Sequence, residues 1–336
     1  MSSKLEPDRP ARRPDRSPTP TEPAGTAPRM GNTRTAVWGW WAEARGYQRL
    51  AYLVGAGLIV IGLVHAGMWA VAGGSASGAV SWRKPTTFGL SFGLTTLTLA
   101  WVGGHLPVRP AIGWLAAGLL CAAVSYEVAW VTVQHARGVP AHFNDTTVLD
   151  ERLFIAGAVM VAVAILVIAA MTLAAFLHTS APAPMALAIR AGLVGLLAAQ
   201  ASGVWMLLHG LRLVDDDADP LVQSMSTHGA AGQLKFAHAV PMHALQVLVV
   251  LAWLLSRSGL RQRRQTRLVA LGVVGYAGLV GVALGRTAAG LAPVTWLDAS
   301  SLGYLAAAGL LAVPAVATVP AVTAHHRHPP APTDEP

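Results

Sequence analysis

Four polar side chains, His65, Glu127, Gln200 and His243, stand in four different apolar runs, each six to eight residues in from one end of its run. A helical rise of 1.5 Å per residue puts all four at one depth, roughly 9–12 Å beneath a common surface. A carboxylate at that depth in a bilayer costs a few kcal/mol unless it is paired or wetted, so Glu127 reads as a catalytic or proton-carrying group. Neutral imidazoles there can relay protons or ligate a haem iron, a copper ion or another metal. Gln134 lies seven residues beyond Glu127 on the same helical face, with His135 just off it, and Gln246 lies about one turn from His243. The plainer alternative makes Glu127 an interhelical hydrogen-bonding group, partnered by Tyr126 or a neighbouring helix, and His65 a structural histidine.

A rim of further polar residues belongs to the same side. Arg83 and Lys84 follow Trp82, His142 lies in Pro140-Ala-His-Phe-Asn-Asp145, and Lys235 and His238 precede His243. His135 ends an apolar run and His238 begins one, which suits interfacial polar residues; His142 suits a turn closing over the site. His209 falls about 180° from Gln200 on its helix, so the two cannot share a cavity. The acidic stretch Asp215–Asp219 reads as a solvated loop and His325–His328 as a polar tail. His105 and His178 fall on the opposite side from the site.

Membrane helices must carry these residues. Of 336 residues, 54% are hydrophobic and 12% charged, which excludes an ordinary soluble enzyme and places the chain among all-α polytopic membrane proteins. Eight apolar spans are long enough to cross: roughly 50–71, 88–104, 111–133, 153–176, 187–208, 236–255, 268–284 and 302–324. The second and seventh are short and the sixth begins with polar residues, so seven and nine are the alternative counts. Pro314 and Pro320 predict a kink in the last span. With eight spans, one side holds 17 Lys and Arg against 7 on the other, which sets both termini in the cytoplasm. The net charge of +8 therefore reads as a topology signal and not as nucleic-acid binding.

Residues 1–36 form a basic, Pro-rich tail with too little apolar mass to offset its ordering entropy, and disorder is expected. The tail has no signal-peptide core, and Met30 is an alternative start. Residues 37–49 bring Trp38, Trp40 and Trp41 beside Arg45 and Arg49, an interfacial composition; residues 50–324 form the membrane domain and 325–336 a cytoplasmic tail. A single cysteine, Cys121, excludes an intrachain disulfide, a Cys-x-x-Cys-His haem attachment and a thiolate zinc cluster. The preference for Arg (21) over Lys (3) points to GC-rich coding and a bacterial cytoplasmic membrane.

Weak internal echoes suggest two four-helix halves. His65 and His209 both end a span, Lys84…Leu99-Ala-Trp101 matches Lys235…Leu251-Ala-Trp253, and Ala136–Pro140 faintly matches Ala289–Pro293. Three chemistries then compete. A redox protein would hold b-type haem or a copper or iron ion through His65 and His243, with Glu127 and Gln200 nearby and a redox partner implied. A proton-coupled transporter of a small anionic solute would use Glu127 as its protonatable gate and Arg83, Lys84 and Lys235 as the anion attractor. A zinc hydrolase ranks last, because His238 and His243 are wrongly spaced for one helical face; a structural or sensor role lies behind all three. Eight spans with both termini inside resemble the topology of haem A synthases. The Glu-x-x-His-Arg signature of that family is absent, Glu127 and His135 standing eight apart with no Arg following, so its activity is not carried over. The segments Ser81-Trp-Arg-Lys-Pro85, Arg137-Gly-Val-Pro-Ala-His-Phe-Asn144 and His238-Ala-Val-Pro-Met-His-Ala-Leu-Gln-Val-Leu248 resemble a family of uncharacterised bacterial multi-pass membrane proteins over residues 50–290. That resemblance implies a membrane fold and no activity.

Overall fold

The computed structural model describes residues 41–74, 76–215, 226–295 and 298–317. The two expected tails, the interfacial segment before Trp41, the acidic residues 216–219 and Pro320 lie outside the described residues. The chain divides into Met1–Glu43 and Ala44–Pro336, and the fold is that of the second unit.

Helix α1 (Gly46–Ala72) starts where the Gln48 side chain accepts the Arg45 N–H at 3.0 Å, and it stops at Gly73, whose φ of 67° ends helical geometry. Helix α2 (Arg83–Gly103) lies tightly against it, because glycines meet at the crossing. A Cβ on Gly89 would sit 2.7 Å from the Gly62 Cα, and one on Gly93 would sit 2.6 Å from the Ile59 Cγ1. Backbones this close are the usual means of association where water offers no driving force. Helix α3 (Pro110–Ala136) opens on a proline at its first position and is fixed to α1 where Gly113 meets the Tyr47 ring. Helix α4 (Val148–Leu177) is capped by Thr147, whose hydroxyl accepts the Asp150 N–H at 3.1 Å, and Gly157 admits the Trp130 ring of α3.

Helix α5 (Ala183–Asp215) leads to a small hairpin, β1 (Thr227–His228) paired antiparallel with β2 (Gly232–Gln233). Helices α6 (Leu234–Met242) and α7 (Ala244–Ser256) continue one crossing, broken at His243 just after Pro241. Proline removes a donor and clashes with the preceding turn, and the bundle tolerates the break. Gly192 and Gly195 of α5 admit Leu245 and Ala244 of α7. Helices α8 (Gln262–Ala288) and α9 (Ala299–Val316) pair through Gly275, where a Cβ would lie 2.7 Å from the Leu311 nitrogen.

Neighbour order recurs. Helix α1 packs on α2 and α3, α2 on α3, and α3 on α4; then α5 packs on α6, α7 and α8, α7 on α8, and α8 on α9. The two sets meet through α4 with α5 and through α2 with α7. Buried Leu99, Ile189, Leu193, Leu245 and Leu255 form the centre. Leucines such as Leu53, Leu166 and Leu305 face outward.

The expected all-helical membrane architecture is found: six helices, counting α6 with α7 as one, are long and apolar enough to cross a membrane. The other two expected spans correspond to α2 and α9. Helix α2 is rich in threonine, and Thr96 and Thr98 donate to the Phe92 and Leu94 carbonyls of their own helix at 2.7 and 2.8 Å. Boundaries differ from the sequence reading at three places. Helix α5 runs on to Asp215 and α6 begins at Leu234, shortening the connection expected between the fifth and sixth spans; the seventh span is long; the sixth is broken.

Candidate functional site

The site forms where the start of α2, the last turns of α3, the loop 137–147 and the start of α6 converge. Trp82 and Arg83 open α2, and the Arg83 Nε donates to the Ala76 carbonyl at 2.8 Å, tying the preceding loop down. The 137–147 loop is clamped at both ends. Arg137 and Gln134 donate to Asp150 Oδ1 at 2.5 and 2.7 Å, and the Thr147 hydroxyl donates to Asp150 Oδ2 at 2.6 Å. The buried carboxylate thus holds the end of α3 to the start of α4. Between the clamps Phe143 takes a φ of 56°, a left-handed conformation costing a bulky residue roughly 1–3 kcal/mol. Its ring rests on Gly210 of α5, where a Cβ would lie 2.4 Å from the Phe143 Cζ. That strained turn delivers His142 onto Trp130, with ring centroids 4.7 Å apart, between Phe88 and Phe154.

Glu127 lies one turn below Trp130, only 3% exposed, and a Cβ on Gly157 would sit 3.2 Å from its Oε1. Lys84 lies within electrostatic reach of Glu127, Lys235 and Arg83, and His142 within reach of Lys84 and Lys235. Burial holds the His142 imidazole well below its ordinary range, and the two lysines push it the same way, so it is neutral. Among the described residues the Glu127 Oε1, Trp130 Nε1, His142 Nδ1, His135 Nδ1, Ser81 Oγ and Thr86 Oγ1 are buried without a hydrogen-bond partner. Buried polar atoms are ordinarily satisfied, so such a concentration marks a place built to meet something else. A small open pocket of about 170 Å³ lies here, bordered by Ser81, Lys84, Pro85, His135 and Ala141.

The structure therefore gathers Glu127, Arg83, Lys84, Lys235 and His142. His65 and His135 form an adjoining branch on either side of Trp82, with ring centroids 6.2 and 4.2 Å from the indole. The His65 Nδ1 faces the Ile61 carbonyl at 2.8 Å. His243 lies at the break between α6 and α7, and Gln246 either reaches the Thr95 hydroxyl of α2 at 3.5 Å or, with its amide turned, donates to the Met242 carbonyl at 3.0 Å. Gln200 is half-buried on α5. His238 ties α6 to α5, its Nδ1 2.7 Å from the Ala199 carbonyl. His209 meets the Thr227 carbonyl and the His228 ring instead. Among the described residues no three His, Cys, Asp or Glu side chains are grouped to hold a metal ion.

Sequence reasoning missed Trp130, Arg137 and Asp150. The pattern Thr147-x-x-Asp150 ahead of an apolar run was a readable helix-start signal. Trp130 carried none, since an indole near a span end also suits the interface.

Six helices of crossing length and composition suit a multi-pass membrane protein. Scans against protein-family models, curated proteins and solved structures give no match.

Proposed function

We propose that this chain is an eight-helix protein of the bacterial cytoplasmic membrane, with both termini inside and two four-helix halves, whose outward site binds a small anion and exchanges a proton through Glu127. The observation that carries the reading is the cluster of Arg83, Lys84 and Lys235, with buried Glu127 in reach of Lys84, amid polar atoms without partners. Three cations from two helices supply the attraction for an anion, and the Trp130 N–H and the Ser81 and Thr86 hydroxyls supply donors. Among the described residues Glu127 is the one carboxylate in reach of Lys84, so its charge and that of a bound anion oppose each other. Protonating Glu127 favours anion entry, and that coupling is the proposed mechanism. The repeated neighbour order supports the two halves, as does a repeated clamp: Arg286 donates to Asp298 at 2.6 Å just before α9, as Arg137 does to Asp150 in the first turn of α4.

The test is uptake into proteoliposomes of chloride, phosphate, acetate and citrate with and without a pH gradient. Lys84→Ala and Lys235→Ala should weaken uptake about tenfold or more. Glu127→Gln should retain binding and lose the response to the gradient. Folded protein that neither binds nor moves any of these anions would overturn the reading.

A redox reading keeps one observation in its favour. The His65 Nδ1 is held by a backbone carbonyl, the usual orientation of a metal-bound histidine, leaving Nε2 for a haem iron or copper ion with His243 as the expected partner. A Soret band lost in His65→Ala and in His243→Ala would support it; colourless, folded protein from haem-replete cells would remove it.

A further inference from the structure

At the other end of the bundle, a cleft of about 690 Å³ lies between α1, the end of α2, the start of α3 and the end of α4. Ala51, Ala100, Ala116, Leu120, Val167 and Met171 form its walls. It extends from the mouth to Leu120, ten residues into α3 from Pro110, and to Val167, ten residues back from the end of α4 at Leu177. That is about 15 Å along each helix, half of a hydrocarbon core about 30 Å thick. The cleft is therefore one leaflet deep.

Its chemistry is the reverse of the anion site. The polar Gln48 on its wall is engaged within the protein through both ends of its amide, accepting the Arg45 N–H at 3.0 Å and donating to the Ala100 carbonyl at 2.9 Å. The Tyr47 hydroxyl accepts from the Arg45 Nη1 at 2.7 Å. The walls thus ask for an apolar occupant. The mouth is cationic: Arg45 is exposed at the start of α1, and Arg109 is exposed at the start of α3, next to the cleft-lining Val108. Arg45 also reaches the Leu106 carbonyl at 3.4 Å, so both arginines flank the same opening. Trp114 lies beside Gly46, half-exposed, as an indole at the headgroup level does.

We infer that this cleft holds one acyl chain of an anionic phospholipid of the adjoining leaflet, its phosphate between Arg45 and Arg109. The inference rests on the membrane-spanning reading and is independent of the anion site. Its test is native mass spectrometry of the full chain in mixed micelles with dioleoyl phosphatidylglycerol or dioleoyl phosphatidylcholine. One phosphatidylglycerol per chain should be retained at several-fold higher occupancy than phosphatidylcholine. Arg45→Ala with Arg109→Ala should reduce it to the phosphatidylcholine level. Ala116→Phe, with Ala170→Phe as a second variant, should expel both lipids while helicity is kept. Lys84→Ala should change nothing, which separates this site from the outward one. Equal retention of the two lipids, or undiminished retention by a folded cleft-filling variant, would overturn the inference.

Discussion

Asp150 and Glu127 are both buried carboxylates, and the contrast between them carries the residue-scale argument. Asp150 collects donors from Thr147, Gln134 and Arg137, so burial is compensated and its role is structural. Glu127 leaves Oε1 without a partner, an expense of about 1–3 kcal/mol that a purely structural residue has no reason to incur. His142 lies against Trp130, one turn from Glu127, and is held neutral by burial and by the lysines. The unfolded chain takes up a proton here as pH falls through about 6.5, whereas the folded chain resists it. The contribution of His142 to stability is whole above that pH and is lost as pH falls toward its lowered value. Thermal unfolding followed from pH 7.5 to 5 should show the midpoint dropping below about pH 6.5. His142→Phe, which suits the Phe88, Trp130 and Phe154 surroundings, should flatten that drop; an unchanged slope would remove His142 as its origin.

The two Arg–Asp clamps hold corresponding helices with burial reversed. In the first, the Asp150 side chain is 2% exposed and Arg137 36%; in the second, Arg286 is 2% exposed and Asp298 37%. Arg137→Ala leaves Asp150 two other partners, Gln134 and Thr147, and should cost about 1–3 kcal/mol. Asp298→Ala removes the counter-ion of a buried guanidinium, which keeps neutral partners in the Ala292 carbonyl and the Thr295 hydroxyl, and should cost more, about 3–5 kcal/mol, measurable by denaturant or thermal unfolding in detergent. The reverse order would show that the first clamp carries the fold. Both clamps share a Thr-x-x-Asp start, Thr147 to Asp150 and Thr295 to Asp298, with the Thr295 hydroxyl donating to Asp298 as Thr147 does to Asp150. That repeat was legible in the sequence, although the echoes chosen there were the histidines and lysines. Apolar runs located every described helix, and the polar start of the sixth run together with Pro241 foreshadowed its break. What could not be read was helix that continues into polar sequence: Gln262–Arg267 extends α8 as a largely exposed turn, and Thr86 and Thr96 of α2 are buried. Nor could spacing reveal that Trp130 would lie under His142. That meeting depends on a loop clamped at both ends and seated on Gly210 of another helix.

Across the whole molecule, orientation decides whether the anion site and the cleft face the sides assigned to them. Reporters fused after Gly259 and at the C-terminus should behave as cytoplasmic, and one inserted within residues 216–222 as external. An external signal at Gly259 would invert the molecule and place the anion site inside. The broken crossing has a mechanical consequence under either orientation. Its first segment, α6, is fastened to α5 by His238 and to α8 by Tyr276, whose hydroxyl donates to the Val240 carbonyl at 2.7 Å. Its second segment, α7, lies against α2. An unbroken rod would carry any tilt of one end to the other. The joint at His243 lets the two segments take separate directions, so α6 presents Lys235 to Lys84 while α7 keeps its place against α2.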